Sequence, residues 1–184
     1  MKKTLILAAT ALSLAACTSQ KDPYQVSLEN AIVEQLGEGT KVKIESFQRI
    51  DSTTFGKELA YRRKVFDLRL AQNVKLLDKY NRQGLPNSAQ GKRGAILHDH
   101  EVIDGLAQMA ETLGDTLDMI AYYDYKFTGR VSLNGSKAEY RDYYAVITPD
   151  GKVYNIDSNL KTLHKPMGHV IPGYVELVQG DDAE

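Results

Sequence analysis

The chain has 184 residues, 23 of them lysine or arginine and 24 aspartate or glutamate, and a single cysteine, Cys17. A balance this close to neutral gives no footprint for nucleic acid, which demands a concentrated basic face, and one cysteine excludes an internal disulfide. Stability must come from an ordinary apolar core, and the length suits one domain.

The first twenty residues stand apart from the rest. Lys2 and Lys3 precede an uncharged, mostly apolar run from Leu5 to Leu14, and the small residues Ala15 and Ala16 lead into Cys17. The run is too short to span a bilayer as a helix, which takes about 18 to 20 residues. Its order of charged, apolar and small residues is that of a secretory signal. Leu14-Ala15-Ala16-Cys17 resembles the lipobox of bacterial lipoproteins, a resemblance confined to residues 1–20. It implies cleavage after residue 16, a diacylglyceryl group on the Cys17 sulfur and acylation of the new amino terminus. Two or more acyl chains make a lasting membrane anchor where one does not. The alternative is an ordinary signal peptide whose only cysteine falls at the cut.

Thr18, where an aspartate would resemble an inner-membrane retention signal, points by the same resemblance to the outer membrane. Ser19-Gln20-Lys21-Asp22 is similar to the short lysine-plus-acid surface-export signals of Bacteroidota lipoproteins. A plain polar tether has the same composition, so the periplasmic and surface sides both stay open.

Residues 17–24 read as the lipidated cysteine and its tether, and residues 25–178 as a single domain. A short helix is predicted from Gln25 to Leu36, stopped by Gly37 and Gly39. Val42, Ile44 and Ser46 alternate with Lys41, Lys43 and Glu45, the period of a half-buried strand that continues to about Thr54. Leu59, Phe66, Leu70, Val74 and Leu77 then share one face of a long helix. Residues 84–95, rich in glycine and polar residues around Pro86, predict a loop. A second long helix is expected from Asp99 to Asp118, with Asp99 as its N-cap and Glu101 in its first turn.

Ala121 to Leu133 alternates again, and Asn134-Gly135 is the dipeptide favoured in type I′ hairpins. Pairing Leu133 with Ser136 places Arg130 opposite Glu139, and Phe127, Tyr125 and Tyr123 opposite Asp142, Tyr144 and Val146. Pro149-Asp150-Gly151 predicts a second turn and a third antiparallel strand. The fold class expected is α+β, with helices on one face of a curved antiparallel sheet that ends in a three-stranded meander. That layout is similar to the cystatin-like and nuclear-transport-factor-like cone folds. Val170 to Val175 reads as an edge strand interrupted by Pro172, and residues 179–184 as a frayed tail.

Three groups of residues invite a chemical reading. His98-Asp99-His100-Glu101 places imidazoles and carboxylates side by side, the donors of a catalytic zinc site. Their spacing is not the i, i+4 of a helical zinc motif, and a solvated helix start explains them equally; His164 and His169 follow in the tail. The meander holds seven tyrosines. Tyr123, Tyr125, Tyr140, Tyr144 and Tyr154 are expected to pack inward, while Tyr122 and Tyr143, near Ile147 and Val153, face away as a partner surface or a plain sheet patch. Asp142 falls on the inner face opposite Phe127, with Gly129 nearby to leave room for a cleft. A carboxylate there is either an acid–base group or ligand anchor, or sits at a bulge that reaches water. Arg62-Arg63-Lys64 and Lys92-Arg93 read as solvated faces. No cofactor motif is present, and a cysteine nucleophile is excluded because Cys17 is the only one. The functional expectation is a lipid-anchored binding module for an envelope protein, a glycan or a small ligand. The alternative is an enzyme using an inner cleft near Asp142.

Overall fold

The computed structural model describes residues 21–179; the signal segment, Cys17 and residues 180–184 lie outside them. Helix α1 (Pro23–Leu36) starts two residues ahead of the predicted Gln25. Asp22 caps it, its carboxylate accepting from the Tyr24 amide at 2.8 Å. Pro23 takes a first-turn position, where its fixed φ and missing N–H do no harm. Gly37 ends the helix at φ 96°, a conformation that costs glycine little. Lys21 pairs with Glu29 at 2.8 Å, so both charged residues of the supposed export signal have local structural partners.

Strand β1 (Lys41–Thr54) runs directly into helix α2 (Phe55–Arg82), which Thr54 caps by accepting from the Lys57 amide at 3.3 Å. Helix α3 (Pro86–Leu113) corrects two expectations. Residues 86–95 are helical, not a loop, because Pro86 takes the first turn of a new helix just after α2 has ended at Arg82. Gly91 and Gly94 face open space and are tolerated at about 1 kcal/mol each relative to alanine.

Asp99 is no N-cap. It lies mid-helix with no exposure, held by the Arg69 guanidinium and by Asn73 Nδ2 at 2.8 Å, while Lys92 Nζ donates to Asn73 Oδ1 at 3.0 Å. This network clamps α2 to α3. Each helix has 28 residues, about 42 Å at 1.5 Å per residue. The Lys92 of the predicted solvated pair is thus committed to the clamp. No helix among the described residues is long and apolar enough to cross a membrane.

After a 3-10 turn (Gly114–Asp118) come β2 (Ile120–Leu133), β3 (Ser136–Ile147) and β4 (Val153–Asp157). The α+β class is observed: the four strands form one open antiparallel sheet in the order β1-β2-β3-β4. Asn134 and Gly135 both have positive φ, 50° and 84°, as a type I′ turn requires. The derived register holds from Leu133↔Ser136 to Gly129↔Tyr140 and then slips by one, so that Phe127 pairs with Tyr143, Tyr125 with Ala145 and Tyr123 with Ile147. The extra residue lies in a bulge where Asp142 adopts φ 52°. A further slip between Ile147 and Val146 shifts β4 in the same way.

The bulge reallocates the tyrosines. On one face, Tyr123, Tyr125 and Phe127 of β2, together with Tyr140, Tyr143 and Ile147 of β3, pack with Leu28 and Ile32 of α1. Tyr140 and Tyr143 are three apart and share this face only because of the extra residue between them; their rings meet edge-on at 4.7 Å. On the other face, Tyr122, Val146, Tyr144 and Tyr154 pack against Phe55, Leu163 and Met167. A third cluster joins α2 and α3 through Leu59, Phe66, Val102 and Leu106 to Ile171 and Tyr174 of the C-terminal segment.

That segment is helical, not an edge strand. Helix α4 (Leu160–Leu163), a 3-10 turn (Lys165–Val170) and helix α5 (Tyr174–Gln179) bind across the second face and the α2–α3 pair. Gly168 permits it: a Cβ there would sit 2.2 Å from the Tyr174 ring.

Candidate functional site

The residues singled out from the sequence do not meet at one place. Asp142 projects from the bulge with 73% of its side chain exposed and pairs with Lys126 at 2.6 Å. The one-residue slip moved it off the inner face, and Gly129 leaves no cleft, since a Cβ there would lie 2.8 Å from the Lys43 carbonyl of β1. An acid–base site around Asp142 therefore loses its structural premise. His98 and His100 lie on α3 on either side of the buried Asp99, two residues apart and so turned to different sides of the helix. No group of three or more metal-ligating side chains occurs among the described residues. Tyr143 is half-buried on the α1 face. Tyr122 is no exposed partner residue either: it is 2% exposed, among the most buried side chains of the protein.

The chemistry of the protein gathers around Tyr122. Its hydroxyl donates to Glu58 Oε2 at 2.7 Å, and Arg62 Nε donates to Glu58 Oε1 at 2.6 Å. Glu58 and Arg62 are one helical turn apart on α2 and are 2% and 7% exposed. The remaining guanidinium nitrogens of Arg62 donate to the carbonyls of His164 at 2.7 Å and Lys165 at 3.1 Å, tying the C-terminal segment to α2. Next to this cluster on β2, the buried Asp124 meets His164 Nε2, with both carboxylate oxygens at 3.0 Å. Burial, reinforced by the Glu58 charge, pushes the Tyr122 pKa far above the ordinary phenol value, so it stays a neutral donor.

These groups line an open cleft of about 460 Å³ between the sheet, α2 and α4. Its floor is Glu58, Tyr122, Asp124 and His164; Lys57 and the half-exposed Tyr61 of α2 stand at its rim with Lys161 of α4. No protein-family model, curated protein or solved structure matches the chain. The chemistry of the cleft must be argued from its own residues.

The Asp124 carboxylate, through its hydrogen bond, is the main cause holding the His164 pKa above the ordinary 6.5; partial burial opposes it. A histidine whose pKa rises on folding stabilises the fold fully below its unfolded pKa of 6.5, and that contribution is lost as pH climbs through the higher folded value. His164→Asn should therefore cost about 1 kcal/mol below pH 6.5, less than a fully buried charge-assisted hydrogen bond because the ring is partly exposed. The difference from wild type should shrink as the medium turns alkaline. Urea-unfolding midpoints of the two proteins across that range check this, and a constant difference would mean that the pair is not ionic.

Signals for this site existed in the sequence. Arg62 is three residues from Leu59 and four from Phe66, on the apolar stripe of α2, unlike its neighbours Arg63 and Lys64. That position marks it as buried, with Glu58 four residues away as its partner. Asp124, between Tyr123 and Tyr125, shares the face of Tyr122 by strand alternation.

Proposed function

We propose that this chain is a lipid-anchored protein of the bacterial cell envelope, held to the outer membrane through Cys17, whose body binds a partner or ligand in the cleft around Tyr122 and His164. Support for the anchor is the Leu14-Ala15-Ala16-Cys17 pattern standing four residues before the described body begins at Lys21. Support for binding through the cleft is one observation: its charged floor is already paired internally, Glu58 with Arg62 and Tyr122, and Asp124 with His164. A rigid, satisfied floor leaves Tyr61, Lys57, Lys161 and Asp51 to make the contacts, with the tyrosine ring supplying apolar area at low entropic cost. A protein or glycan of the envelope suits such a mixed polar and aromatic rim.

A photo-crosslinking residue at Tyr61 in intact cells tests this role. The expected result is a discrete adduct from position 61 and none from Asn134 at the far hairpin. Failure at positions 57, 61 and 161 alike would remove the cleft as the binding site.

A second reading, acid–base chemistry, is favoured by the His164–Asp124 geometry. A carboxylate fixing one imidazole nitrogen leaves Nδ1 for a ligand. It expects turnover of some chromogenic ester, amide or glycoside by the wild type and none by His164→Ala. Equal rates for the two proteins would dismiss it.

A further inference from the structure

A second concavity, about 650 Å³, lies on the opposite face of the sheet at the N-terminal end of α1. Tyr24, Phe47 and Tyr125 line it, with Asp22 and Arg49 at its margin. Phe47 and Tyr125 stack at 4.3 Å with their planes 8° apart, and Tyr24 leans on Tyr125 at 5.7 Å. The Arg49 guanidinium lies over the Tyr123 ring at 5.0 Å and makes no salt bridge among the described residues. Burial, with Asp22 adding to it, pushes the Tyr125 pKa up to about 12, so the wall stays uncharged.

The position of this groove is constrained by chain length. Asp22 and Pro23 belong to its lining, and Cys17 stands four residues before Lys21. Four residues span at most about 14 Å even fully extended. Wherever acyl chains on Cys17 enter a bilayer, Lys21 and the groove beside it must stay close to the headgroup layer. No such limit applies to the far ends of α2 and α3.

We infer that this groove is a membrane-apposed site for a phospholipid headgroup, with the Arg49 guanidinium taking the phosphate between the rings of Tyr24, Phe47 and Tyr125. The inference rests on the lipid-anchor reading above. Tyrosine carries an apolar body and a polar tip and concentrates at the membrane–water interface. Arginine offers paired donors that match a phosphate, and its planar cation also rests on aromatic faces. Nearby charges nearly cancel: Lys21 is paired with Glu29, and Asp22 offsets Arg49. Attraction to an anionic surface is therefore not the driving force. The site reads the phosphate that every phospholipid carries, and zwitterionic lipid should suffice. Contact at the groove would fix the orientation of the body and leave the Tyr122–His164 cleft, on the other face of the sheet, open to partners.

The test uses the intact acylated protein, carbon-labelled at its arginines, in phosphatidylcholine vesicles. Solid-state NMR then measures dephasing of arginine Cζ signals by lipid phosphorus. One arginine signal should be dephased, and Arg49→Gln should abolish that dephasing while leaving the fold intact, since Arg49 is exposed. Absence of dephasing, as when the groove is filled by the tether or by a second copy, overturns the inference. So does a dephased signal that survives Arg49→Gln. A thiol reagent applied to the denatured wild-type protein separates the two levels. An unreactive Cys17 alongside absent dephasing leaves the anchor standing and removes only the headgroup site; a reactive thiol removes both.

Discussion

Replacing Glu58 with leucine is expected to lower the unfolding free energy by about 3–5 kcal/mol, the cost of leaving a buried partner charge uncompensated. Arg62, only 7% exposed, would lose its carboxylate, and the Tyr122 hydroxyl would lose its acceptor. The loss should be partly recovered in the triple variant Glu58→Leu, Arg62→Met, Tyr122→Phe. Replacing paired buried groups together by apolar ones of similar size is often close to neutral, while the His164 and Lys165 carbonyls still lose Arg62. Urea unfolding followed by circular dichroism reads both. A single-variant cost under about 1 kcal/mol would mean that water reaches the Glu58–Arg62–Tyr122 cluster and that its pairing does not hold the floor of the cleft.

The other large effect is expected on the opposite face. Phe127 has no exposure and stands between Tyr140, at 5.5 Å, and Tyr143, at 6.2 Å, under α1. Phe127→Ala should cost about 3–5 kcal/mol, the transfer term plus the cavity left when bulky neighbours cannot collapse. Since Phe127 and Glu58 belong to clusters on different sides of the sheet, the double variant should be additive within about 0.5 kcal/mol. The same unfolding measurement decides it. A marked departure from additivity would show that the two faces are coupled, and that the cleft is not independent of the α1 side.

Much of the fold follows from local rules and was legible as such. Gly37, the Asn134-Gly135 pair and the alternation of β1 each act within a few residues, and each appears where its chemistry puts it. The failures are also physical. Pro86 looks like a terminator in isolation but serves as an initiator when a helix begins at it. The bulge at Asp142 cannot be read from strand period, because it exists to bring Tyr140 and Tyr143 onto one core face, a packing requirement set by distant residues.

The site was least legible for the same reason. Asp124 and His164 are 40 residues apart, and Arg62 reaches carbonyls more than 100 residues away. Helical and strand period mark Arg62 and Asp124 as inward-facing, but nothing local names the distant groups that they meet. Asp99 shows the same limit: a cap position by local spacing, it has its partners Arg69 and Asn73 on another helix.

Attachment through Cys17 is tested most directly by the intact mass and amino-terminal peptide of the mature protein taken from its native membrane. The expected chain begins at Cys17 and carries a diacylglyceryl thioether on that sulfur. A mature chain with a free Cys17 thiol, or one whose first residue lies elsewhere, would contradict the anchor and, with it, the placement of the body at the membrane.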